Sequence, residues 1–288
     1  MPERRVGRAA PVSLYAVVAT PLANLHARPD HRSELKSQRL HGEVVRILGR
    51  HGHWFLAAGF DGYPGWVRSW SLVRRAERDA LAWAVAARAA AWRHTVAVHA
   101  APRARSPVIA LVPWGARFVP LAALRTRAGF SAVLLPGGES GFVAAGGLGP
   151  SWRGGRRSGA GAAERGRRAA ALAHAQCGAG YLWGGASSWG FDCSGLVQWA
   201  YAQCGLRLPR DARDQIRIAR PLTRGETARP GDLLFFGGDG DVNHVAMFTT
   251  PPRFVHAYGR VEEAVLAGLG PAARPELRAI LLGVRRPG

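Results

Sequence analysis

Residues 149–168, GlyProSerTrpArgGlyGlyArgArgSerGlyAlaGlyAlaAlaGluArgGlyArgArg, mix Gly and Arg with no apolar periodicity, so no core can be built through them. The chain must therefore form separate cores on either side, with this tract as an inter-domain connection. The 288 residues suffice for that, giving two domains at about 150 residues each, or three if the modules are small.

The first side reads as β. Short apolar runs separated by Gly, Pro and Asp stand at 43–48, 54–58 and 65–68, and again at 95–99, 108–112, 116–121 and 131–135. AspGlyTyrProGlyTrpVal at 61–67 and GlyGluSerGlyPheVal at 138–143 occupy the same place in each set, which argues for an internal repeat. Between the sets, the Ala-rich segment Asp79–Trp92 contains no breaker and predicts a helix. With SerGluLeuLysSerGln at 33–38 and GlyGluValValArgIleLeu at 42–48, the first set resembles the bacterial SH3-like domain; the second resembles it loosely. The expected domains are a first SH3-like barrel at 1–78, a helix with a second, divergent barrel at 79–148, the linker at 149–168 and a further domain at 169–288.

Charge and cysteine content narrow the function classes. The net charge of +20 invites a nucleic-acid reading, but of the 39 basic residues only Lys36 is a lysine, and no RRM, KH or helix-turn-helix pattern accompanies them. A solvated Arg-rich surface is the simpler reading, so neither a specific nucleic acid nor a membrane is expected as partner. Three cysteines, Cys177, Cys193 and Cys204, cannot all pair and show no zinc-knuckle spacing. The run Pro11–Pro21 is short, contains Ser13 and Tyr15, and reads as a strand rather than a secretion signal, so the expected location is cytoplasmic.

The chemistry concentrates after the linker. A helix is predicted over 168–177, ended by Gly178. Leu196, Val197, Ala200 and Cys204 recur at helical spacing with Asp192 as cap, which puts Cys193 in the first turn, where unpaired backbone N–H groups favour a thiolate. AsnHisValAlaMetPheThrThr at 243–250 and ProArgPheValHisAlaTyr at 252–258 read as a hairpin about ThrThrProPro. In a simple hairpin His244 and His256 lie directly opposite on one face, as a base and its orienter require. A satisfied core pair, or two zinc ligands completed by Cys193, are the alternatives that the residues alone leave open.

TyrLeuTrpGlyGly (181–185), PheAspCysSerGlyLeuValGln (191–198), LeuProArgAsp (208–211), ArgProGlyAspLeuLeuPhePhe (229–236), AsnHisValAlaMetPhe (243–248) and PheValHisAla (254–257) follow one another in the order of the NlpC/P60 cysteine peptidases. The resemblance implies a papain-like α+β fold with Cys193 as nucleophile, His244 as base and His256 as its orienter. Two SH3-like modules before such a domain resemble the γ-D-glutamyl-L-diamino-acid endopeptidases that recycle murein peptides. On that resemblance Tyr181 assists the oxyanion, Trp183 lines the pocket, Ser194 contacts D-Glu, and Tyr63 with Asp192 binds the ammonium of L-Ala, Glu34 joining them. Ala212 stands where many relatives carry serine, and Arg210 is the candidate to compensate by charge. The expected partner is a murein tri- or tetrapeptide, L-Ala-γ-D-Glu-diamino acid, with no metal or organic cofactor. The rivals are a secreted hydrolase of intact wall that uses its SH3 domains as anchors, and a non-catalytic wall- or nucleic-acid-binding protein.

Overall fold

The structure is a computed structural model that describes residues 15–125, 129–151, 161–268 and 271–288. The start of the run expected as a strand at Pro11–Pro21 lies outside these residues; its remainder contains the first strand.

The first module comprises β1 (Tyr15–Val18), β2 (Leu22–His26), β3 (Leu35–Leu40), β4 (Val44–His51), β5 (Trp54–Ala58), β6 (Pro64–Arg68) and β7 (Leu72–Arg75). After helix α1 (Glu77–Ala86) the second comprises β8 (Ala89–Ala91), β9 (Thr95–His99), β10 (Val108–Pro113), β11 (Arg117–Arg125), β12 (Phe130–Leu134), β13 (Ser140–Ala144) and β14 (Leu148–Pro150). The spatial orders are β3-β2-β6-β5-β4-β1-β7 and β10-β9-β13-β12-β11-β8-β14. Adding seven to every strand number of the first gives the second, so the repeat seen in the sequence is a repeat of topology. Alternation builds each core: Val45, Ile47, Phe55, Ala57 and Val67 point into the first, and Val96, Val98, Val112, Phe118, Val133 and Val143 into the second.

Two sequence expectations are corrected here. The helix expected over Asp79–Trp92 stops at Ala86, because Ala89–Ala91 is drawn between β11 and β14 as a fully paired strand, and tertiary pairing overrides alanine's helix preference. The Gly/Arg tract also contributes structure at both ends: Leu148–Pro150 pairs with β8, and α2 begins at Ala162 and ends at His174. Gly166, Ala169, Ala170 and Ala173 recur along one face of α2 and are buried, while Glu164 pairs with Arg167 and Arg168 on the outside. A Cβ at Gly166 would stand 2.7 Å from the carbonyl of Pro230, so the glycine permits that close approach.

The two barrels meet at His41, which is buried against Phe118 at 5.2 Å between centroids, with Nδ1 on the carbonyl of Ala19. Burial pushes its imidazole down to about 4, the backbone hydrogen bonds acting weakly the other way. The folded protein therefore binds fewer protons than the unfolded chain below about pH 6.5, and the stability that neutral His41 contributes is lost as pH falls from there through about 4. Between pH 7 and pH 5 the loss from this one group is expected to be about 2 kcal/mol. Urea unfolding at both pH values should show His41→Gln less acid-sensitive than the parent by that amount; equal slopes would exclude His41 as the source.

The C-terminal module stacks α2 and α3 (Cys193–Gln203) on an antiparallel sheet, preceded by the small ribbon β15 (Ala186–Ser187) and β16 (Gly190–Phe191) and followed by α4 (Ala212–Ile218). The sheet contains β17 (Arg220–Pro221), β18 (Leu233–Phe236), β19 (His244–Thr250), β20 (Arg253–Tyr258), β21 (Arg260–Val265) and, after α5 (Pro275–Ala279), β22 (Leu281–Arg286), in the order β17-β22-β18-β19-β20-β21. Leu233, Phe235, Val245, Met247, Val255 and Ala257 meet Leu196, Val197 and Ala200 of α3; Leu234, Phe236, Ala246, Phe248 and Phe254 pack on the other face. Among the described residues no helix is long and apolar enough to cross a membrane.

Both barrels dock on this module beside α3. Gln38 accepts from the Ala186 N–H and the Ser187 hydroxyl, and Asp61 joins Arg39 to Gln198 of α3. From the second barrel, the Trp114 N–H reaches the hydroxyl of Ser188 at 3.0 Å. Gly184, at φ 75°, lies so close to the carbonyl of Leu35 that a Cβ would stand 2.1 Å from it. The loop before the cysteine is thereby clamped to the first barrel.

Candidate active site

Cys193 opens α3, and Asp192 caps it by accepting from the Gly195 N–H at 2.7 Å. The backbone N–H groups of Val245, the residue that follows His244, and of Ser194 lie near the thiol. These donors and Arg210 favour thiolate, yet burial and then the charge of Asp192 outweigh them and push Cys193 up to about 11. This corrects the expectation of a resting thiolate from the helix N-terminus alone: desolvation wins. Cys204 is likewise pushed up to about 11, by burial above all.

The histidines share a face but not a rung. Met247 pairs with Val255 and Phe248 with Phe254, and the register shifts between Phe248 and Thr250. On that register His256 falls opposite Ala246, two positions from His244, which corrects the direct opposition expected of a simple hairpin. A bulge at the turn causes the offset; because the offset is even, both side chains stay on one face. They meet diagonally, His244 Nε2 lying 3.0 Å from His256 Nδ1. Burial drives His244 down to about 3 and His256 to about 4. With Nε2 engaged, Nδ1 is the only nitrogen of His244 available to Cys193.

Cys193, His244 and His256 line one cleft of about 1140 Å³ together with Tyr181, Trp183, Ser194, Tyr63 and Glu34. The sequence-derived residues are thus gathered in one place, but two of them are already occupied. Arg210, 2 % exposed, uses all five N–H donors: Nε on Ser37, Nη1 on Asp192 and Ser194, Nη2 on Asp192 and the Gly185 carbonyl. Asp192 in turn also accepts from the Gly184 and Gly195 N–H groups and from Ser194. A saturated carboxylate has no lone pair left for an ammonium, and a saturated guanidinium has no N–H left for a substrate carboxylate. Among the described residues no group of three or more His, Cys, Asp or Glu side chains is arranged to hold a metal ion.

The open acids stand elsewhere. Asp211, next to Ala212 at the start of α4, lies near the Tyr63 phenol, which burial first, then the charge of Asp211, raises. Burial also raises the Asp211 carboxyl, against the pull of Tyr63 and Arg210. Glu34 takes the indole N–H of Trp183 at 2.8 Å, and Lys36 lies 4.5 Å from the Tyr63 ring centroid. Tyr181 lines the same cleft as Cys193, and its phenol is raised by burial and then by the charges of Cys193 and Asp192. Asp211 was inside a motif of the sequence, LeuProArgAsp at 208–211, but was given no role there. Only the tertiary meeting with Tyr63 marks it out.

The sequence profile of the NlpC/P60 family matches residues 178–273, and that of the bacterial dipeptidyl-peptidase SH3 domain matches residues 25–72. The chain is 44% identical over 81 residues to the bifunctional muramidase/DL-endopeptidase CwlT of Bacillus subtilis, covering 27% of this chain and 24% of that protein. It is 39% identical over 88 residues to a γ-D-glutamyl-L-lysine dipeptidyl-peptidase of Bacillus cereus, covering 30% of this chain and 26% of the relative. The chain thus spans about a quarter of the length of these curated relatives. The crystal structure of an NlpC/P60 family protein from Bacillus cereus shares the fold, with a TM-score of 0.77 at 21% identity, over 94% of this chain and 99% of that one. The chain therefore joins an all-β, SH3-like N-terminal region, with a bacterial dipeptidyl-peptidase SH3 domain at residues 25–72, to an α+β NlpC/P60 domain at residues 178–273.

Proposed function

We propose that this protein is a cysteine endopeptidase that cleaves the γ-D-glutamyl–diamino acid bond of short murein peptides carrying a free N-terminal L-Ala. The observation that carries the reading is the composition of the cleft wall: Glu34 and Tyr63 from the first barrel line it together with Asp211, which places two carboxylates around one phenol. A substrate ammonium can pair with these carboxylates there. The ammonium site thus passes from Asp192 to Asp211, with Tyr63 and Glu34 retained. Asp192 and Arg210 instead hold the start of the cysteine helix.

In the reaction, His244 takes the proton of Cys193 as the sulfur attacks the γ-carbonyl of D-Glu, because burial keeps both groups neutral at rest. The carbonyl oxygen gains negative charge next to Tyr181, whose hydroxyl can donate to it. His244 returns the proton to the departing amine, an acyl-enzyme remains, and water deprotonated by His244 releases L-Ala-D-Glu. Such peptides arise by wall turnover and are taken up, so the reading assigns the enzyme to the cytoplasm and to recycling.

The test is a pair of peptides, L-Ala-γ-D-Glu-diamino acid with its amine free or acetylated, with products identified by mass spectrometry. A charge-assisted hydrogen bond lost on acetylation costs about 1.5–3 kcal/mol, which is more than tenfold in kcat/KM. Asp211→Asn should reduce that preference. Equal cleavage of both peptides by the parent would replace this reading with a hydrolase of intact wall.

A further inference from the structure

His256 is wholly buried, and its Nε2 has no hydrogen-bond partner. An imidazole nitrogen in that position is costly unless something nearby accepts its proton. Glu262 stands directly opposite His256 in the β20–β21 ladder, so both side chains project from the same face. Its Oε1 lies 3.7 Å from His256 Nε2. Burial raises the Glu262 carboxyl, but Arg274 and then Arg260 outweigh it and hold it below the usual carboxylate range. It is an anion, held by two arginines and aimed at an unpartnered nitrogen.

The two imidazoles share one hydrogen between His244 Nε2 and His256 Nδ1. If His256 donates it, neutral His244 must carry its own proton on Nδ1 and cannot act as a base toward Cys193. If His244 donates it, Nδ1 of His244 keeps its lone pair, and neutral His256 carries its proton on Nε2. A carboxylate beside His256 Nε2 stabilises only the second arrangement. We infer that Glu262 is the outermost member of a Cys193–His244–His256–Glu262 relay, a positioning residue that accepts the Nε2 proton of His256 and so selects the reactive tautomer of His244. The 3.7 Å separation is within ion-pair range and longer than a hydrogen bond. As Cys193 gives its proton to His244, the positive charge that develops is offset through His256 by the anion. The titratable and charged groups facing the pair are Cys193, Tyr258, Glu262, Arg260, Arg274 and Glu276. Of these, only Glu262 is a carboxylate in ladder register with His256.

The inference rests on the cysteine–histidine chemistry proposed above but not on the substrate assigned to it. The experiment has two arms, applied to Glu262→Ala and Glu262→Gln in the full chain. The first measures iodoacetamide labelling of Cys193 from pH 5 to 9 by mass spectrometry; the second measures kcat and KM on the free-amine tripeptide. Glu262→Ala should slow labelling at pH 7 about tenfold and move its profile to higher pH. It should also lower kcat by roughly ten- to a hundredfold, the range for a residue that orients an imidazole from behind, with KM within about twofold. Glu262→Gln keeps the shape and an accepting oxygen but not the charge, so it should recover part of both losses. If the alanine variant fails to fold, the glutamine variant alone decides: its labelling must still be slower at pH 7 than that of the parent, with the profile moved to higher pH. Parental labelling and kcat in either variant would overturn the inference, as would a loss confined to KM. A parent that labels normally but cleaves no peptide would overturn the proposed substrate and leave the labelling arm to decide on Glu262.

Discussion

Cys193→Ala should reduce hydrolysis of the tripeptide by at least about 10⁴-fold, because it deletes the only thiol among the described residues that line the cleft. The fold should survive. The side chain is only partly buried at the edge of the α3 core, and the helix cap is made by Asp192, not by the thiol. His244→Ala should cost nearly as much, and the double variant little more than either alone, since nucleophile and base act as one unit. Steady-state rates with unfolding curves for each variant check this. Residual activity above about one hundredth of the parent in Cys193→Ala, or additive losses in the double variant, would mean that the acyl-enzyme route is wrong.

Arg210→Ala should destabilise the protein by about 3–5 kcal/mol, the cost of leaving a buried partner charge uncompensated. The guanidinium is 2 % exposed and supplies two of the hydrogen bonds to Asp192, while its Nε reaches across to Ser37 of the first barrel. Removing it strands Asp192 at the very start of the cysteine helix. Combining Arg210→Met with Asp192→Asn removes both charges and keeps a capping oxygen, so the double variant should be more stable than Arg210→Met alone. Urea unfolding measures all of these. A loss below about 1 kcal/mol in Arg210→Ala would show that Asp192 is solvated after all, and would reopen it as the site for a substrate ammonium.

The two barrels, their repetition and the cysteine helix were legible from local signals alone. Apolar alternation marks β4–β6 and β9–β12 whatever surrounds them, and Asp192 before Cys193 caps α3 because the bond spans only three residues. The gathering of Cys193, His244 and His256 in one cleft was also anticipated, through the ordered motifs. Where local preference met tertiary pairing the reading shifted: Ala89–Ala91 left the helix for the sheet, and part of the Gly/Arg tract became α2 because small residues let the helix approach Pro230.

What the linear pattern determined, then, was which segments are strands, which residue opens the helix and which side chains share a face, since each depends on neighbours within a few positions. The tertiary structure alone decided their roles. Asp192 and Asp211 are both acids before a helix, and nothing local tells them apart. Arg210 saturates the first, whereas the second meets Tyr63 from another domain. The same holds for charge: a helix N-terminus favours a thiolate by a local field, but the state of Cys193 follows from how much water the folded chain removes around it, and that is a property of the whole assembly.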